Sequence, residues 1–119
     1  MNLSGKGPLG LKEPIEGRDP KRLAAVAALP CCICSEWGFP QNSHTQVHHC
    51  IMGRYGTKRA PDRMTIPLCE GHHVGLMDIS KIALHRSRKA WRESYGNDTD
   101  WISWTDERIA TEGNEANEP

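Results

Sequence analysis

IPLCEGHH (residues 66–73) is the stretch on which the fold turns, and VHHCIMGR (residues 47–54) is its counterpart upstream. Together they hold four of the six histidines of a 119-residue chain, in two adjacent pairs. MTIPLC reads as a short strand, and the turn after it carries Cys69-x-x-His72. A two-residue gap lets both side chains reach one tetrahedral ion from a single turn. LPCCIC offers the same gap in Cys31-x-x-Cys34. A lone C-x-x-C would equally suit a redox pair, but a second knuckle more than thirty residues later favours a shared zinc on Cys31, Cys34, Cys69 and His72. Cys32 and Cys50 stand outside the pattern and are expected as small buried apolar residues.

Composition points the same way. Hydrophobic residues make up 37% of the chain, with one Phe and two Tyr, so the core must be thin. A thin core needs a staple, and a structural metal is one of the usual choices. The opening MNLSGKGPLGLKEP has no apolar run of signal-peptide length, and no segment approaches a membrane span. A cytoplasmic, reducing setting is therefore expected, where clustered cysteines bind metal more often than they pair.

Formal net charge is zero but unevenly spread. Residues 48–92 carry nine Lys and Arg against Asp62, Glu70 and Asp78, whereas residues 93–119 carry Arg108 alone against eight acids. A basic middle is compatible with a phosphate-bearing partner, although solvated faces would give the same balance.

Local signals give a coarse element order. RDPKRLAAVAALP has helix punctuation at both ends: Asp19 to cap, Pro20 in the first turn, Pro30 to stop. CCICSEWGFPQNSH looks like a tight knuckle without a regular element. TQVHHCIM is the most strand-like stretch, and GRYGTKRAPDR forms a basic loop. Residues 80–95 read as one helix, with Leu84, Trp91 and Tyr95 on a shared face and Gly96-Asn97 as its stop. DTDWISWTDERIA adds a short helix packing Trp101 and Trp104. Residues 111–119 are expected to be disordered. On a regular strand His48 and His49 point to opposite faces, so they cannot easily bind one ion. A division of labour between metal ligand and base is more natural, since neutral imidazole can serve as either.

The order C-x-x-C, His-His strand, basic loop, PLC-x-x-H-H and helix resembles the HNH endonucleases of the ββα-metal fold. The likeness is strongest to their zinc-bearing, phage-encoded branch, which includes the phage recombination-enhancement nuclease. LPCCIC, VHHCIMGR, IPLCEGHH and LHRSRKAWRESYG carry it, over residues 29–96. The resemblance implies a small α+β zinc domain in which a β-hairpin and a helix enclose a catalytic ion. It makes His49 the general base, His48 and His73 ligands of a catalytic divalent ion (Mg²⁺ or another), and His72 the fourth zinc ligand in a cysteine's usual place. His85, beyond an apparent insertion, is taken as the third ligand of the catalytic ion. Arg54, with Lys58 and Arg59, would contact phosphates of the nucleic acid, DNA being expected, and cleavage would leave a 5′ phosphate. The family's base-orienting Asn should fall nine positions before His73, where this chain has Met64. A backbone carbonyl or a neighbouring side chain must then hold His49.

The expected organisation is a flexible arm over 1–18, an HNH-type nuclease domain with structural zinc over 19–96, and an acidic extension over 97–119. The alternative is a catalytically silent zinc module that binds nucleic acid or protein, a reading that the missing Asn favours.

Overall fold

The computed structural model describes residues 17–53 and 59–117. Its elements run α1 (Pro20–Ala27), α2 (Cys32–Trp37), β1 (Thr45–His49), β2 (Thr65–Cys69), α3 (Glu70–His73), α4 (Arg88–Tyr95), a 3-10 turn (Asp98–Trp101) and α5 (Ile102–Asn117). It is a small mixed fold in which helices surround a two-stranded sheet. No helix among the described residues is long and apolar enough to cross a membrane.

The two strands pair antiparallel, with Thr45 opposite Cys69 and His49 opposite Thr65. The Cys50 N–H bond to the Met64 carbonyl continues this register and fixes which pairs are hydrogen-bonded. Val47 and Pro67 fall in a pair without ladder bonds, so the nitrogen of Pro67 points to the outer edge and its missing N–H costs nothing there. Side chains alternate across the pleat. Gln46, His48, Ile66 and Leu68 share one face, and Thr45, His49 and Thr65 share the other.

Helix α1 covers the second face. Asp19 caps it by accepting the Arg22 N–H at 3.1 Å. Arg22 then donates to the Thr65 hydroxyl and carbonyl, while the Thr45 hydroxyl donates to the Leu29 carbonyl at 2.6 Å. The core gathers Ile33, Ile66, Leu68, Leu84 and Trp91, with Cys32 and Cys50 buried among them.

Three stretches depart from the sequence reading, the last being residues 111–117, which are helical where disorder was expected. The cysteine knuckle is not irregular: Cys32–Trp37 forms a short helix that Gly38 ends in the left-handed region. In the other direction, the helix expected over 80–95 begins only at Arg88, where Ser87 caps it by accepting the Ala90 N–H. The amides of Leu84 and His85 bond to the carbonyls of His72 and His73, both at 2.9 Å, instead of to the preceding turn. A helix there would forfeit those bonds. Gly75, at φ +70°, makes the return possible, since a Cβ would also lie 2.6 Å from that of Ala83. The chain thus folds back on α3 and carries His85 with it.

The C-terminal helix is longer than the sequence implied, running from Ile102 to Asn117. It is tied to the rest through the Trp104 indole N–H on Glu36 at 2.9 Å and an Arg22–Asp106 ion pair.

Candidate active site

Helix α3 is four residues long, and its last two residues face different clusters. His72 belongs to the first, with Cys31, Cys34 and Cys69, all four buried. Its Nδ1 lies 3.6 Å from the sulfurs of Cys31 and Cys34 and 3.4 Å from that of Cys69, and the Cys34 and Cys69 sulfurs are 3.8 Å apart. A tetrahedral ion with bonds of ~2.3 Å to sulfur and ~2.05 Å to nitrogen requires ligand separations of ~3.8 and ~3.5 Å. The spacing fits zinc and is far too long for a disulfide. The Cys31 thiol, and then the His72 ring, hold Cys69 below the ordinary thiol range, while the same contact pushes Cys31 up and burial raises Cys34. An ion bound here would displace the remaining thiol protons.

The cluster is braced from outside. The Trp91 indole donates to the His72 carbonyl at 3.1 Å, the Tyr95 hydroxyl sits 3.5 Å from His72 Nε2, and Phe39 stacks on the ring. Glu70 accepts the backbone N–H groups of Leu76, Met77 and Asp78, which holds its carboxyl below the usual range and pins the loop after α3.

His73 belongs to the second cluster, with His48 and His85, whose ligand atoms all lie within 4.8 Å of one another. Burial is graded across it: His48 is buried, His73 half-buried, His85 exposed. His48 Nε2 donates to Asp98 Oδ2 at 2.8 Å, and Asp98 also accepts the N–H groups of Ile51 and Met52. His73 Nδ1 donates to Gln46 Oε1 at 2.7 Å. Each bond fixes a tautomer and leaves the opposite ring nitrogen with its lone pair. Burial, and then the neighbouring His48 and His85, push His73 down to about 4. Burial, followed by His48, also lowers His85. Neutral imidazoles with free lone pairs are what a divalent ion requires.

His49 points the other way. Its Nε2 is 2.9 Å from Asp62 Oδ1, and Asp62 Oδ2 accepts the Asp19 N–H at 2.8 Å. That backbone bond, and then His49, hold Asp62 below the usual carboxylate range. An ionised carboxylate can only accept, so the His49 Nε2 carries the proton and Nδ1 is free.

Of the other residues singled out in the sequence, Arg54 and Lys58 lie outside the described residues, and Arg59 is exposed near Asp62. Asp62, Asp98 and Gln46 were missed. Asp62 sits only two positions before Met64, inside the basic loop, and a search for an Asn substitute could have reached it. Asp98 gives no signal in DTDW, fifty residues from its partner.

The fold and the first cluster define a small domain with a buried three-cysteine, one-histidine site that could bind zinc, beside an open cluster of histidines. The chain belongs to the family described as recombination enhancement, RecA-dependent nuclease, whose model matches residues 17–110. Membership puts it among nucleases, enzymes that hydrolyse phosphodiester bonds of nucleic acid. No curated protein and no solved structure matches the chain.

Proposed function

We propose that this chain is an HNH-type, metal-dependent endonuclease of phage kind, acting on DNA. The observation that carries the proposal is the arrangement around one hairpin. Three histidines converge on one side of β1, and a fourth, His49, is held on the other side by a carboxylate.

Three imidazoles suit Ni²⁺ or Zn²⁺ better than the Mg²⁺ that the resemblance implied; His48, His73 and His85 would hold such an ion, which when bound would supply charge stabilisation at the scissile phosphate and its leaving oxygen. His49 takes the proton from the attacking water on Nδ1, while Asp62 fixes its tautomer and balances the imidazolium that forms. Asp98 and Gln46 orient His48 and His73. Arg54, Lys58 and Arg59 contact phosphates along the strand. The zinc cluster sets the position of α3, and through it the position of His73.

The silent-module reading drew its support from Met64 at the Asn position. Asp62 meets that need from two residues away, and nothing else in the site favours it.

The test is cleavage of plasmid and single-stranded DNA with Mg²⁺, Mn²⁺ or Ni²⁺, each against a chelated control. Nicking that depends on the added ion and is lost in His49→Ala supports the proposal. Wild-type cleavage by His49→Ala overturns the assignment of the base, and absence of cleavage under every ion overturns the enzyme.

A further inference from the structure

An open cavity of about 440 Å³ lies between the segment preceding α1 and the segment leading into β2, lined by Gly17, Arg18, Leu23, Arg59, Pro61 and Asp62. Its volume is within the ~300–1,000 Å³ usual for ligand sites. Asp62 forms one wall and is the residue that holds His49.

The walls are fixed to one another at Asp62. The Gly17 carbonyl accepts the Asp62 N–H at 2.7 Å, and the Asp19 N–H donates to Asp62 Oδ2 at 2.8 Å. Both neighbours of Arg18 are therefore bonded to the residue behind the base. Gly17 allows the approach: its φ is +84°, and a Cβ there would come within 2.9 Å of the Pro61 Cβ. Arg59 enters the cavity from three positions before Asp62.

Both arginines are exposed, and among the described residues neither forms an ion pair. Asp62 is the acid in the wall, and its two oxygens already accept from His49 and from the Asp19 N–H. The lining thus presents two guanidinium groups against one engaged carboxylate. A guanidinium fork matches the oxygens of a phosphate better than any other side chain does.

We infer that this cavity is a phosphate subsite in which Arg18 and Arg59 clamp a backbone phosphate of the substrate strand flanking the scissile one. The inference rests on the nuclease reading. It adds Arg18, from the segment before α1, to the substrate-holding residues and makes Asp62 the joint between clamp and base.

The experiment uses the full chain carrying His49→Ala, expected to hold substrate while cutting it far more slowly, and a short DNA duplex followed by fluorescence anisotropy across salt concentrations. Arg18→Ala/Arg59→Ala should weaken binding and reduce the slope of log affinity against log salt by roughly 0.9, the loss of one phosphate contact on a duplex, and Arg18→Ala alone should give part of that loss. Arg18→Lys should restore the slope but only part of the affinity, because charge returns without the fork. Duplexes carrying a single neutral methylphosphonate then locate the contact. The parent should lose affinity at a phosphate flanking the scissile bond, Arg18→Ala should lose less at that position alone, and Arg18→Ala/Arg59→Ala should be insensitive there. A variant with the parent's salt slope and the parent's methylphosphonate profile overturns the subsite. If the parent binds no nucleic acid and the wild type cuts none, it is the nuclease reading that fails.

Discussion

The two clusters that meet at α3 are built from the same kinds of residue and differ in what surrounds them. Cys31, Cys34, Cys69 and His72 are all buried, with four ligand atoms within 4.8 Å of one another. His48, His73 and His85 number three and grade from buried to exposed. Closed four-ligand sites hold structure, whereas three protein ligands and an open side leave room for water or substrate. Adjacent residues on one turn serve the two purposes because successive side chains on a helix point about 100° apart. One short helix therefore ties the position of the histidine cluster to that of the cluster that could bind zinc.

Removal of the staple should give the largest effect. One zinc per chain is expected by elemental analysis, and strong chelation or Cys34→Ser should abolish the cooperative melt followed by circular dichroism. Structural zinc in small domains carries ~10–16 kcal/mol of apparent binding energy, more than the stability of a core this thin. A chelated protein that melts at its original temperature would erase the contrast between the clusters.

Loss of the base comes next. His49→Ala should stay folded and bind DNA, yet cleave ~10²–10⁴-fold more slowly. Normal folding with slow cleavage keeps His49 on the chemical side of the comparison.

The open cluster should respond through metal demand. His73→Ala and His48→Ala should keep the zinc while needing far more added divalent ion for half-maximal cleavage, His73→Ala with an unchanged melt and His48→Ala with a lowered one, because buried Asp98 loses its partner. A cleavage curve against metal concentration that superimposes on wild type would remove the second ion. Asp98→Asn sharpens the same point more gently: its loss as the orienting carboxylate should weaken divalent binding by ~10–100-fold.

The smallest effect is one of pH. Asp62 sits below its ordinary range in the folded chain, held down by the Asp19 N–H and then by His49. A carboxyl depressed on folding contributes stability that is present above its unfolded pKa, ~3.9, and lost as pH falls through the lower folded value. Asp62→Asn should therefore be less stable than wild type near neutrality, with the gap closing below about pH 4. Parallel thermal melts across that range would show a constant gap if Asp62 did not titrate in this way.

Much of the Cys31, Cys34, Cys69 and His72 cluster that could bind zinc was legible in the sequence, because a two-residue gap is a local geometric statement that survives any surroundings. The same is true of α1, which Asp19 and Pro20 start and Pro30 stops, and of the two strands, whose alternation sends His48 and His49 to opposite faces. The ends of Trp104 and Arg22 that tie α5 to the domain, and the place of His85, were not. Residues 80–87 have helical composition, yet two of their amides find better partners in the carbonyls of α3. Periodicity reports which face a segment could bury and says nothing about a competing acceptor elsewhere in the chain. The two carboxylates follow the same rule. Asp62 and Asp98 lie thirteen and fifty positions from the histidines they hold. Hydrogen bonds of that span carry no spacing signature, since they depend on where folded segments meet. Sequence alone therefore named the cysteines and histidines that the fold gathers, and set His48 and His49 on opposite faces of their strand. Only the tertiary structure decided which acids orient them, because that choice is made by packing distant segments against a common helix.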